Sequence, residues 1–411
     1  LGSPILTESV LLDLLPISGR GADMLRSIQG EIEKATILRT LYQRANDTIG
    51  GLPADVPTPP PIPESVWDRV KVVGENALDM LENGRELLTP AFREVDTAEV
   101  QIRRAERGEG KISQLRQALR RLIVAGLGRE AEAVLKAQED SLFALAAIGE
   151  LLVTTFPFRV TMDEQYETIP RLLGRATVEL SMRRQTDDLD GGKSSSPLAL
   201  GNVTLVVDGF SAPVTAGNFI DLCLRGFYND LTLRFNTSDE MPPDGDRPLQ
   251  LAIGGSYRDG FVDPLTGSLR RVPLEILRLD PKRGNVPFYG AARNTKVFTK
   301  LPPVQTFRIP GAVGMNHPPS DGNGGSSEFF WLTEENLGDD GYFMGPAAEA
   351  LNSKYSIFAY AVGGRRLFEQ LRPGDVIDRA IVTYGADNLI KTKTASLTEL
   401  LLNSGAEGDD D

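Results

Sequence analysis

The feature that most constrains this chain is a change of hydrophobic period near residue 166. Before it, apolar residues return every three or four positions; after it, they come in short runs cut by Gly, Pro, Asn and Asp. The first pattern suits one face of an α-helix and the second a strand. In "ADMLRSIQGEIEKATILRTLYQRAND" the residues Leu25, Ile28, Ile32, Ala35, Leu38 and Leu41 make one stripe, which predicts an amphipathic helix buried on that side. A proline-rich connector, "LPADVPTPPPIPESVW", is predicted to be extended and semi-rigid, with Glu64 or Ser65 opening the next helix. "SVWDRVKVVGENALDMLENGRELL" and "KISQLRQALRRLIVAGLGREAEAVLKAQEDSLFALAAIGELLVTTF" supply two to four more helices. A bundle is the simplest way to bury such stripes. A zipper dimer is the weaker alternative, because its heptads are irregular and interrupted by Gly126 and Gly128.

Eight strand-like runs follow: "RATVELSM", "GNVTLVVDGF", "LTLRF", "LQLAIGG", "FRIPGAVGM", "EFFWLT", "SIFAYAV" and "RAIVTYG". Two helices stand out among them, "TAGNFIDLCLRGF" and "GGRRLFEQL". The expected fold is a multi-domain α + β chain: a helical bundle over residues 1–166, an eight-stranded antiparallel β-barrel capped by two helices over 167–395, and an acidic tail over 396–411. "DDLDGGKSSSP" is a loop by composition, and "GAEGDDD" reads as a solvated tail.

Charge and rare residues exclude several functions. With 57 acidic against 44 basic residues the formal net charge is −13, which disfavours a nucleic-acid binder. The most apolar segment, Leu142 to Phe156, carries Glu150 and is shorter than the ~20 residues a membrane span needs. The chain starts at Leu1 without a basic n-region or transit-like segment, which predicts a processed chain. One cysteine, Cys223, excludes an intramolecular disulfide and is expected to be a small buried apolar group. One histidine, His317, excludes multi-histidine metal sites, and no "GxSxG" elbow accompanies it. No metal or organic cofactor is expected.

In their order, several runs resemble the cyclophilins, peptidyl-prolyl isomerases built on an eight-stranded barrel with two helices. The matching pieces are "APVTAGNFIDLC", "GFY", the pair Gly254 and Gly255, "GAVGM", "GSSEFFWL", "IFAYAV" and "GDVI". Within that family, "FPFRVTMDEQYETIPRLLGRATVEL", "VVDGFSAPVTAGNFIDL", "DGFVDPLTGSLRRVPLEI" and "PFYGAA" look like the large lumenal cyclophilins of chloroplast thylakoids, which also carry a helical bundle before the barrel. The resemblance implies residence in the thylakoid lumen, protein clients among photosystem II subunits, and a scaffold or chaperone role in assembling and maintaining that complex. It also raises an intramolecular contact in which the bundle covers the barrel's groove.

The same resemblance proposes site residues. Isomerisation must lower an amide rotation barrier of about 18–20 kcal/mol, and active cyclophilins are thought to use an arginine that donates to the prolyl nitrogen. In the family that arginine closes an "FHR" triplet seven positions after a tyrosine. From Tyr228 the seventh position is Phe235, and Arg234 falls one step short. Alternation along a strand then predicts that Arg234 points away from the groove unless a bulge intervenes. The catalytic pair Arg234 and Phe235 is therefore read as degenerate. Substrate contacts are expected from Leu251, Ile253, Asn316, His317, Glu328, Phe330, Leu351 and Tyr355, with Gln250 at an aromatic position and Ala350 where the family has Trp or His. Glu328 replaces a glutamine and is expected to repel a peptide carbonyl, and a charged His317 would relieve part of that repulsion. The inserted "NTSDEMPPDGDRP", residues 236–248, would alter access to the groove. The leading expectation is thus a cyclophilin-like scaffold with weak or no isomerase activity; the alternative is an active isomerase using Arg234.

Overall fold

The computed structural model describes residues 6–42, 61–88, 98–157, 160, 166–185, 197–237, 250–255, 260–264, 266–280, 284–290, 301–333 and 345–391. Most of the proline-rich connector, the loop at 187–196, the insertion from residue 238 and the acidic tail lie outside the described residues. The chain divides into two compact units, 1–155 and 156–411.

The first unit holds helices α1 (Thr7–Asp13), α2 (Arg20–Glu33), α3 (Glu64–Gly84), α4 (Ala98–Gly128) and α5 (Ala131–Leu152). The stripe from Leu25 to Leu38 is completely buried, and Leu41 packs beside it against a cluster that includes Trp67, Val70 and Leu122. The helix expected to be continuous turns at residues 34–35 and resumes over 36–42 with the stripe in phase. Buried Gln138 of α5 stitches this turn: its Nε2 donates to Ile32 O at 3.0 Å and to Thr36 Oγ1 at 3.1 Å. Gly126 lies within α4 rather than breaking it. There the missing side chain admits α3, since a Cβ would sit 3.1 Å from Val70 Cγ1, and one at Gly74 would sit 2.6 Å from Ile123 Cγ1. α3 starts at Glu64, directly after Pro63 in an extended φ −59°, ψ 144° conformation.

The strands of the main sheet of the second unit are β1 (Arg175–Arg184), β2 (Leu198–Asp208), β3 (Leu231–Thr232), β4 (Arg234–Thr237), β5 (Gln250–Gly254), β6 (Ala312–Met315), β7 (Phe329–Leu332), β8 (Ile357–Gly363) and β9 (Val376–Tyr384). Their sheet order is β3-β9-β1-β2-β8-β6-β7-β5-β4, antiparallel throughout. The two edge strands, β3 and β4, are separated in sequence by Leu233 alone. One short run therefore pairs with both ends of the sheet, which makes the nine segments an eight-stranded barrel with one split strand and leaves no free edge there.

Helices α6 (Pro213–Leu224), α7 (Gly345–Leu351) and α8 (Arg365–Gln370) accompany the barrel. The first and last were expected; α7 is an addition, held by buried Ala348 and Leu351. A ribbon pairing Glu275–Asp280 with Gly284–Tyr289 was also not expected. Its Glu275 explains how α6 begins without a capping side chain. Ala212 at the N-cap offers no oxygen, and buried Glu275 accepts instead from Val214 N at 3.1 Å and Thr215 N at 2.6 Å. Burial pushes this carboxyl up to about 7, against the pull of those donors.

The barrel interior centres on Phe219 of α6, whose ring lies 5.0 Å from Tyr228, 5.3 Å from Phe329 and 5.1 Å from Phe358. Cys223 is buried in the same core, as expected, and burial pushes its thiol well up. Tyr166 and Ile169 belong to this core too, and Phe156 stacks on Phe210 at 5.8 Å. The junction segment read as the end of the bundle thus packs with the barrel.

Candidate peptide-binding groove

The orientation of Arg234 follows from register. In the β4–β5 ladder Arg234 stands opposite Ile253, and in the β5–β7 ladder Ile253 stands opposite Phe330. Directly opposed residues of antiparallel strands share a face. Arg234, Ile253 and Phe330 therefore lie in one row on one side of the sheet, and Gly314 of β6 continues it. The row of Phe235, Ala252, Trp331 and Val313 takes the other side, where Phe235 packs against the barrel core.

This corrects the expectation that Arg234 points away from the groove. Counting from Tyr228 assumed a regular path, whereas the chain first makes a turn with Asp230 at φ 60° and then splits its strand at Leu233. Leu233 bonds to the opposite edge, its N–H donating to Asp375 O at 2.7 Å. Parity is reset at that residue and not by a bulge, for β4 pairs with β5 in even register from 234 to 237.

Arg234 is not idle on this face. Its Nη2 donates to Glu328 Oε1 in an ion pair, with the two side chains 33% and 21% exposed. Glu328 Oε2 accepts from Asn316 Nδ2 at 3.0 Å, and Asn316 N donates to Glu328 O at 2.8 Å. Thus the carboxylate expected to repel a peptide carbonyl is neutralised by a guanidinium and shared with an amide. Asn316, expected to contact a peptide backbone, has its side chain engaged.

Beside this polar group lies an aromatic stack. Phe330 is fully buried; its ring stacks on Phe307 at 5.2 Å and meets the edge of Tyr355 at 4.9 Å, and Tyr355 stacks on His317 at 4.5 Å. Gly314 makes the Phe307 contact feasible, since a Cβ there would lie 2.6 Å from Phe307 Cζ and 2.8 Å from Phe330 Cε1. Leu251, Ile253 and Leu351, expected to contact substrate, are buried. His317 turns its ring nitrogens to backbone carbonyls and not to Glu328: Nδ1 faces Pro318 O at 2.9 Å and Nε2 faces Lys354 O at 2.7 Å. Gln250 Oε1 accepts from Thr333 Oγ1 at 2.9 Å.

Sequence reading missed Phe307, and Gly314 was noticed only as part of "GAVGM". The signal available for them was weak: an aromatic in a run read as a strand, and a glycine whose use depends on a neighbour 7 residues away.

Residues 194–391 match the family described as cyclophilin type peptidyl-prolyl cis-trans isomerase. A Synechocystis protein named as a thylakoid lumen peptidyl-prolyl cis-trans isomerase is 33% identical over 287 residues, covering 70% of this chain and 67% of its own length. The chain belongs to the cyclophilin-type peptidyl-prolyl cis-trans isomerase family. Chloroplastic CYP38 of Arabidopsis thaliana is 28% identical over 338 residues, covering 79% of this chain and 69% of its own. Chloroplastic CYP37 of the same plant is 28% identical over 234 residues, covering 56% and 44%. These matches extend beyond the barrel into the helical unit for CYP38, since 338 residues exceed the 256 of the second unit, 156–411. Among the described residues no helix is long and apolar enough to cross a membrane, and no group of three or more His, Cys, Asp or Glu is placed to hold a metal ion.

Proposed function

We propose that this cyclophilin works in the thylakoid lumen, binds prolyl segments of protein clients, and isomerises them slowly, serving chiefly as a chaperone or scaffold in photosystem II assembly and maintenance. The names of its relatives support the lumenal and chloroplast setting. The observation that carries the catalytic part is the Arg234–Glu328 pair. A guanidinium accelerates amide rotation by donating to the prolyl nitrogen as the lone pair leaves resonance. Arg234 stands on the groove face where such a donor is needed, but one of its five N–H donors, on Nη2, is held by a carboxylate. Charge-assisted hydrogen bonds are worth roughly 1.5–3 kcal/mol, less at partly exposed sites. A peptide competes with Glu328 for the guanidinium, whose charge the carboxylate already partly neutralises, and the rate falls accordingly.

A second reading, an unhindered isomerase, is favoured by the same register, because Arg234 shares its row with Phe330. A protease-coupled isomerisation assay on an Ala-Pro peptide separates the two. The proposal expects weak acceleration in the wild type that disappears in Arg234→Ala. Acceleration at the rate of an ordinary cyclophilin would favour the second reading, and activity unaffected by Arg234→Ala would overturn both. The scaffold role is tested by affinity capture from thylakoid lumen extracts: photosystem II subunits should be enriched, and their absence would refute that part.

A further inference from the structure

We infer that Tyr355 is the specificity-determining residue of the groove: it occupies the apolar pocket that a prolyl ring would enter, and His317 positions it there. This rests on the peptide-binding reading above. Phe330 has no solvent exposure, so no ligand reaches that ring in this arrangement. Phe307 stacks on one face of Phe330, deep on the Gly314 side, and Tyr355 brings its ring to Phe330 at 76° from the partly exposed side. Phe307 is fully buried, whereas Tyr355 is partly exposed. Tyr355 is therefore the member of the stack that can leave. The vacated space would border Phe330, whose ladder neighbour is Ile253, apolar groups suited to a ring without a hydrogen-bond donor, which is what proline offers.

His317 is stacked on Tyr355 at 23° between planes. Both imidazole nitrogens face backbone carbonyls, Pro318 O at 2.9 Å and Lys354 O at 2.7 Å. The ring thus bridges its own loop and the residue just before Tyr355, tying the 354–355 segment to that loop.

One measurement on the full chain tests this: binding of the peptide Ala-Ala-Pro-Phe by titration calorimetry at a single pH for wild type, Tyr355→Ala, Tyr355→Leu and His317→Gln. If the open state is a minor population of roughly one in ten, removing the tyrosine ring tightens binding about tenfold. His317→Gln, which removes the ring stacked on Tyr355, should tighten binding in the same direction. Equal affinity of wild type and both Tyr355 variants would overturn the inference while leaving the peptide-groove reading intact. Unchanged affinity in His317→Gln would remove the role of the histidine. A peptide that binds none of the proteins would sink the groove reading together with this one.

Discussion

Arg234 and Glu328 meet because a split strand turns one guanidinium toward the groove and because Glu328 lies two residues before Phe330, just ahead of β7. At the residue scale, the molecule repeatedly lets a distant side chain take a role that the local sequence leaves vacant. Glu275 caps α6 where Ala212 cannot. That substitution has a consequence for stability. Burial raises the folded-state value of Glu275 from 4.5 to about 7. A group raised on folding contributes stability fully below its unfolded value and loses it as pH climbs to the folded one. The contribution of Glu275 should be present in full below pH 4.5, decline between 4.5 and 7, and be absent above. A shift of this size corresponds to roughly 3 kcal/mol at most. Urea unfolding at pH 5 and pH 8 checks it: the gain in stability on acidification should be smaller in Glu275→Gln than in wild type, and an equal gain in both would reject the assignment.

Elements in this chain are shaped by what packs on them as much as by their own pattern. The stripe from Leu25 to Leu38 announced its buried face, but the turn at 34–35 depends on Gln138 arriving from α5. Replacing Gln138 by Leu leaves that backbone without its side-chain donor and should cost the bundle about 1–3 kcal/mol. A lowered denaturation midpoint for the helical unit would confirm this; an unchanged midpoint would mean that the turn sustains itself. The same dependence explains what periodicity could and could not reveal. Helices α3 to α5 and most barrel strands carry long or clearly alternating runs, so they were legible. The split at Leu233, the ribbon at 275–289 and α7 were not, because each is short and stabilised by partners far away in sequence. Register itself is a property of two strands, which is why counting along one strand misplaced Arg234.

As a whole, the molecule joins a bundle and a barrel that each bury a core of their own. Residues 156–411 expressed alone should therefore retain a folded spectrum; a disordered one would show that the barrel needs the bundle. The cyclophilin family was legible from scattered short motifs because they mark the turns and core of the barrel. The working state of the groove was not, because it depends on which side chain pairs with Arg234 and which ring covers Phe330. On the proposed function, Arg234 is correctly placed and held in check by Glu328. The most direct test is the kcat/KM for Ala-Pro isomerisation in Glu328→Gln, measured alone and combined with Arg234→Ala. Releasing a charge-assisted bond worth about 1.4 kcal/mol predicts about a tenfold gain in the single variant, and no gain in the double variant. An unchanged rate in Glu328→Gln, or a gain that survives the loss of Arg234, would contradict it.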